Sequence, residues 1–213
     1  MQKKLNPDTA IWVLTVLYIV GIAGFLFKIH PDFPRLTPIN LCVSLGVSLF
    51  FHPNWSPKFI IWCLLTMIVS FFIEVLGVQT GQIFGHYKYG ETLGFKYLNT
   101  PLSISINWLL TAYAAAALVS LATKDSTHWL VKSVLSAALM VSLDSFIEPV
   151  APRIDMWAWK NGIVPSQNYI GWFLTALPLQ MLFFFFIGSA RNKVAAAVLI
   201  LQFIFFLILN NFL

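Results

Sequence analysis

Long apolar segments separated by shorter polar ones recur along the whole chain. A helix needs about 20 apolar residues to cross the hydrocarbon core of a bilayer. The second such segment is short and lies between Pro38 and Pro53, and Pro38 suits the first turn of a helix. The pattern predicts an all-α fold, a polytopic integral membrane bundle of about seven transmembrane helices. The predicted spans are residues 11–28, 37–51, 59–77, 101–122, 130–148, 170–188 and 194–213.

The composition supports a membrane protein over a soluble one. Hydrophobic residues make up 59% of the chain and charged residues 10%, against about 25% charged in soluble domains. The net charge of +5 comes without a basic run, which argues against a nucleic-acid partner and leaves the lipid bilayer as the expected surrounding. Cys42 and Cys63 lie in apolar segments and are interpreted as small hydrophobic residues. We expect one integral membrane domain over residues 1–213.

The first apolar segment follows Lys3 and Lys4, an arrangement that resembles a signal peptide. It is long, lacks a clear small-residue cleavage site and precedes further spans, so we expect a retained first helix. Lys and Arg divide almost equally between the two membrane faces. The positive-inside rule therefore favours a cytoplasmic N-terminus only weakly, and the orientation stays open.

Two connections are much longer than the others, residues 78–100 and 149–169. Both contain many aromatic and turn-forming residues, and long loops in compact domains are usually functional or disordered. Their aromatic content argues against disorder. Because they follow the third and the fifth predicted spans, the two loops should share one face of the membrane.

Three acidic residues lie within or at the ends of predicted spans, where ionisable groups are costly and usually functional. Glu74 lies near the end of the third span, and Asp144 and Glu148 end the fifth, four residues apart on one helix face. Each has a simpler interpretation. In the simpler interpretation, the Glu74 side chain extends to the membrane surface. In the same way, Glu148 precedes Pro149 and would lie at the membrane interface. Asp144 lies one turn deeper and is the hardest to explain in that way.

Polar and aromatic residues at the same end of the bundle are candidates to surround these acids. The interpretations without a functional role are that His86 is an ordinary loop residue and that Trp157 and Trp159 belong to the interfacial aromatic belt. There is no glycine-rich phosphate loop, GxSxG or HExxH motif, and the four histidines are scattered over different loops, so no metal site is expected. The candidates for substrate binding are Asn107, Trp108, His86, Tyr87, Tyr89, Trp157, Trp159, Tyr169 and Trp172.

Residues 71–179 carry three ordered motifs. The first motif is EVLGVQTG at 74–81 with FGHYKY at 84–89, then Leu93-Gly94 and Pro101. The second is DSFIEP at 144–149 with WAW at 157–159, and the third is NYIGWF at 168–173. Together they resemble the carotenoid biosynthesis protein family, which includes membrane carotenoid 1,2-hydratases such as bisanhydrobacterioruberin hydratase and γ-carotene 1′-hydratase. The chain departs from the family in having Glu148-Pro149 where Asp-Pro is frequent, and in a more polar segment at 101–105.

The resemblance implies addition of water across the terminal C1–C2 double bond of a linear ψ-end carotenoid, such as γ-carotene or lycopene, giving a tertiary alcohol. Acid catalysis of this kind needs a positioned proton donor and no redox cofactor, and we expect no cofactor. We predict Asp144 as the donor, with Glu148 or Glu74 positioning water or acting as the base, and aromatic faces stabilising the cation. The expected partners are the carotenoid, water and other carotenoid enzymes.

Two other classes of function remain open at this point. A cyclase or isomerase of the same end group also needs a buried acid and aromatic residues. A carotenoid- or lipid-binding protein, or a small transporter with a proton relay, also explains acids at membrane depth, although no internal repeat of the kind found in transporters is visible. The expected location is the cytoplasmic membrane of a bacterium or archaeon.

Overall fold

Seven α-helices form most of the structure, a computed structural model that describes residues 6–213. Counted with the 3-10 turn Phe33–Leu36 that precedes α2, each described helix is long and apolar enough to cross a membrane. The prediction of a polytopic all-α membrane bundle is confirmed; Lys3 and Lys4 lie outside the described residues. The helices are α1 Pro7–Leu26, α2 Thr37–Phe50, α3 Pro57–Thr80, α4 Ser103–Ala122, α5 Trp129–Ile147, α6 Ser166–Phe186 and α7 Lys193–Phe212.

Several helices begin earlier than the apolar pattern predicts, because their first turns are polar and capped. The Ser56 hydroxyl accepts a hydrogen bond of 3.2 Å from the Phe59 amide at the start of α3, and Pro57 occupies the first turn. The Asn192 side chain accepts from two amides at the start of α7. Hydropathy marks the part of a helix that lies in lipid, so these capped turns were not included in the predicted spans.

Helix α4 lies at the centre of the bundle, packed against α2, α3, α5, α6 and α7. Its middle carries the segment AYAAAA at 112–117, in which every residue is fully buried. Small side chains let the neighbouring helix backbones approach closely, which is how helices associate where lipid removes the hydrophobic driving force. The central helix therefore carries Asn107 and Trp108 in the protein interior rather than at the lipid surface.

The two long loops lie on the same face of the bundle, as predicted, and pair with each other through short strands. Strand β1 (Tyr87–Tyr89) pairs antiparallel with β4 (Trp157–Trp159), and the amide of Gly90 donates to the carbonyl of Met156 at 2.9 Å. A second small sheet joins β2 (Lys96–Tyr97) to β3 (Thr100–Pro101), and a 3-10 turn at Ala151–Ile154 precedes β4. These strands were not predicted from the sequence.

Candidate active site

The β1–β4 pair directs four aromatic side chains to one side. Tyr87 lies opposite Trp159 and Tyr89 opposite Trp157, with Lys88 between the tyrosines. Successive side chains of a strand point to opposite faces, so the four rings share a face while Lys88 is exposed. The rings of Tyr87 and Trp159 lie 5.1 Å apart, and those of Tyr89 and Trp157 lie 6.2 Å apart. Each ring carries an O–H or N–H donor.

Glu74 receives three of the donors at this end of the bundle. Its Oε2 accepts hydrogen bonds from the hydroxyls of Tyr87 at 2.5 Å and Tyr89 at 2.7 Å, and its Oε1 accepts from the Trp108 indole N–H at 2.9 Å. The residue is 3% exposed. Glu74 is therefore held inside the protein and does not extend to the membrane surface.

Glu148 and Asp144 form a pair of carboxylates that are joined by Asn168 of α6. The Oε2 of Glu148 accepts from the indole N–H groups of Trp157 at 3.2 Å and Trp159 at 2.7 Å. The Asn168 amide donates to Glu148 Oε1 at 3.1 Å and to Asp144 Oδ2 at 2.7 Å. Asp144 Oδ1 is buried and has no hydrogen-bond partner among the described residues. The predicted common face of Asp144 and Glu148 is thus turned toward one amide.

None of these carboxylates forms an ion pair within the described part of the chain. Their partners are neutral phenols, indoles and one amide, so the site holds several acids without a compensating cation. Burial, and next the negative charge of Glu74, raise the pKa of both Tyr87 and Tyr89 above the usual range. The phenols therefore remain protonated donors at any pH near neutrality.

A small cavity of about 20 Å³ lies between Glu74 and Glu148. A space of this size holds about one water molecule. Both Glu74 and Glu148 line it, whereas Asp144 does not. The remaining lining residues are the amide of Asn168 and apolar or aromatic side chains: Phe84, Tyr87, Tyr89, Ile104, Trp157, Trp159 and Trp172.

Trp108 and Trp172 extend the aromatic wall of the site. Their rings are stacked, with centroids 4.1 Å apart and planes 16° from parallel, and Trp108 is fully buried. Close packing of α6 on the loop after α3 sets this position. A Cβ on Gly171 would lie 2.6 Å from the carbonyl oxygen of Ile83, so glycine is what allows α6 to approach and place Asn168 and Trp172 in the site.

The structure brings together most, but not all, of the residues singled out from the sequence. The three acids lie together with six of the predicted aromatic residues, which contact the acids or line the cavity. These residues are Trp108, Tyr87, Tyr89, Trp157, Trp159 and Trp172. His86 is exposed and Tyr169 is half-buried, and neither lines the cavity. Asn107 lines a separate apolar cleft.

Asn168 is the residue whose role the sequence did not reveal. It was noted only as the first residue of the motif at 168–173, yet it is 2% exposed and links Asp144 to Glu148. Its place within a motif, one helical turn before the buried Trp172, was the available signal. Phe84 also lines the cavity and was visible only as the first residue of the motif at 84–89. Ile104, another lining residue, is apolar and gave no signal in the sequence.

Comparison with known proteins agrees with the motifs. The profile of the family described as "Carotenoid biosynthesis protein" matches residues 40–213. The curated protein "Bisanhydrobacterioruberin hydratase" of the archaeon Haloarcula japonica is 31% identical over 125 residues, which cover 55% of this chain and 42% of that protein. No solved structure gives a significant match.

Proposed function

Since the chain belongs to the carotenoid biosynthesis protein family, we propose that it is a carotenoid hydratase that adds water to the terminal C1–C2 double bond of a linear ψ-end carotenoid. The observation that carries the proposal is the water-sized cavity lined by two buried carboxylates and walled by aromatic rings. The similar protein named as a hydratase supports the reaction class. The ψ-end is what the resemblance of the motifs to the family implies, and the residue roles rest on the chemistry of the site.

The first step is transfer of a proton to C2 of the double bond. Glu74 and Glu148 each accept three hydrogen bonds from neutral donors, and such bonds suit an ionised acceptor. Asp144 accepts one, and its Oδ1 has no partner. We assign the resting proton to Asp144, in keeping with the prediction from the sequence. Because Glu148 lines the cavity and Asp144 does not, the proposed path takes the proton from Asp144 to Glu148 and then to the substrate. This path requires the unpartnered Oδ1 of Asp144 to reach Glu148.

The second step is stabilisation of the cation. Protonation at C2 uses the π electrons of the double bond and leaves a tertiary cation at C1. Trp157, Trp159 and Trp172 line the cavity, and aromatic rings attract a nearby positive charge. The ionised Glu74 supplies a full negative charge in a site that excludes bulk water, where electrostatic stabilisation of a transition state is strongest.

The third step is capture of the cation by water. A water filling the cavity would lie against both Glu74 and Glu148, which line it. Its oxygen forms the new bond to C1, and one of its protons passes to a carboxylate. The Asp144–Glu148 pair has given one proton to carbon, and a carboxylate has taken one proton from water. The enzyme returns to its starting state once that proton is back on the Asp144–Glu148 pair. Titration of such a pair is shared between its members.

A bacterium that accumulates lycopene or γ-carotene provides the test. Expression of the chain should give a pigment heavier by the mass of one water, while an Asp144→Asn variant expressed to the same level should give none. Unchanged pigment mass with a new absorption spectrum would indicate a cyclase or isomerase. Pigment that co-purifies unchanged would indicate a binding protein, and either result would overturn hydration.

A further inference from the structure

An apolar cleft of about 230 Å³ lies between α1, α2 and α7, apart from the carboxylate cavity. Its walls carry mainly aliphatic and aromatic side chains. Its volume is below the range of about 300–1,000 Å³ for sites that enclose a whole drug-sized ligand. The cleft therefore suits only one end of a long apolar molecule, whose remainder stays in the bilayer. The aromatic residues of its walls are Tyr18, Phe25, Phe33, Phe205 and Phe206.

The inner end of this cleft reaches the candidate active site. Trp157 lines both the cleft and the water-sized cavity, and its indole N–H donates to Glu148. Ile147, next to Glu148 in the chain, also lines the cleft. An apolar chain lying in the cleft would therefore end against the ring that separates it from the carboxylates.

Gln202 of α7 provides a second observation that points to a ligand. It lines the cleft and is 4% exposed, and its Oε1 has no hydrogen-bond partner among the described residues. A buried carbonyl oxygen without a partner is unfavourable. A hydroxyl group on a molecule in the cleft would satisfy this oxygen.

We propose that the cleft between α1, α2 and α7 binds the end of a linear carotenoid and delivers it past Trp157 to the carboxylates, with Gln202 as the acceptor for a hydroxyl group on the bound molecule. This inference rests on the proposed function and names the path of its substrate. Much of the outer wall, formed by α1 and the turn at Phe33–Leu36, precedes residue 40, where the family match begins. That wall consequently sets which carotenoid this chain accepts, independently of the shared catalytic motifs.

A larger groove of about 490 Å³ between α3 and α6 is the alternative path. It is also mainly apolar and includes Ile170 and Leu174. None of its lining residues lines the carboxylate cavity, whereas the cleft shares Trp157 with it. The groove therefore provides matched control positions.

Two pairs of variants separate the cleft from other surfaces. Gly21→Leu places a side chain in the cleft beside Phe205, whereas Gly46→Leu places the same side chain on α2 where nothing lies within 4 Å. Val20→Trp fills the cleft from a half-exposed position of α1, and Leu174→Trp does the same in the groove, at 50% and 63% exposure respectively.

The readouts are lycopene retained per protein after incubation in detergent micelles and, separately, the rate of hydration. We expect Gly21→Leu and Val20→Trp to lower both by about tenfold or more, and the two controls to stay within about twofold of the wild type. Loss of retention in Leu174→Trp with normal retention in the cleft variants would overturn the proposal, as would retention unchanged in all four.

Retention does not require turnover, so the two proposals fail separately. Wild type that retains lycopene in the cleft but never hydrates it would refute the hydratase and keep the binding site. Hydration that proceeds at the normal rate in both cleft variants would refute the binding site and keep the hydratase.

Gln202→Leu tests the polar position. Retention of the 1-hydroxy derivative of lycopene should fall by about tenfold, while retention of lycopene itself should change by less than twofold. An equal fall for both ligands would mean that Gln202 acts only through packing and would overturn its role as an acceptor.

Discussion

Removal of single hydroxyl groups from β1 tests whether Glu74 acts as an anion in the reaction. Tyr87→Phe and Tyr89→Phe each delete one donor to Glu74 Oε2, at 2.5 and 2.7 Å, and keep the ring. A hydrogen bond to a charged group contributes about 1.5–3 kcal/mol. Since about 1.4 kcal/mol corresponds to a tenfold change in rate, each variant should lower kcat by roughly 10- to 150-fold if the bond matters in the transition state.

The double variant adds information about how the two phenols act. Both donate to the same oxygen, and neighbouring partners of one group are usually coupled by about 0.5–3 kcal/mol. The loss in Tyr87→Phe/Tyr89→Phe should therefore differ from the sum of the single losses. Tyr97→Phe, in the other small sheet and 57% exposed, is the matched control and should leave kcat unchanged.

The assay is conversion of a linear carotenoid by the purified protein, with kcat, KM and the thermal unfolding midpoint measured for each variant. We expect the fall in kcat to exceed what partial unfolding explains at the assay temperature. A lower unfolding midpoint with kcat within about twofold of the wild type would show that the network around Glu74 only supports the fold, and would refute its electrostatic role.

Two further predictions concern the acid pair and the packing beneath it. Asp144→Asn and Glu148→Gln should each lower kcat by about 10²- to 10⁴-fold. The double variant should be little worse than either, because the effects of residues that act as a unit are not additive. A fall in kcat for the double variant equal to the product of the two single falls would contradict a shared proton. Gly171→Ala should destabilise the protein by about 1–3 kcal/mol, since its Cβ would lie 2.6 Å from the Ile83 carbonyl; an unchanged unfolding midpoint would contradict that close contact.

The sequence predicted the membrane bundle well because lipid imposes a length and a hydropathy on each helix. It also placed the two long loops on one face by parity alone, and β1 and β4 confirm that placement. The predicted helix starts were less accurate. Helix α6 begins at Ser166 rather than residue 170, because its polar first turns look like loop sequence when only hydropathy is considered.

The hydrogen-bond partners of the acids were beyond sequence reasoning. Whether Glu74 reached the membrane surface or was buried depended on Tyr87 and Tyr89, which belong to a strand of three residues paired with one 70 positions away. Alternation of aromatic residues at 87 and 89, and at 157 and 159, was the visible trace of those strands. The interfacial aromatic belt was the simplest interpretation of Trp157 from the sequence, whereas its indole N–H donates to Glu148 in the structure.

Under the proposed function, the small size of the cavity has a consequence for the supply of water. Water is scarce in a membrane interior, so a cavity for about one molecule between Glu74 and Glu148 restricts the supply to what one addition consumes. The aromatic residues that donate hydrogen bonds to Glu148 also line this cavity. One set of side chains thus holds the carboxylates and, under the proposed mechanism, stabilises the cation.

The most direct test of hydration is isotopic. Purified protein in liposomes containing a linear ψ-end carotenoid should be incubated in heavy-oxygen water and, in parallel, in deuterium oxide, and the pigment analysed by mass spectrometry. Hydration predicts one heavy oxygen in the product and one non-exchangeable deuterium on carbon, both absent with Asp144→Asn. A deuterium on carbon without oxygen from water, or a pigment that takes up neither label, would contradict the account.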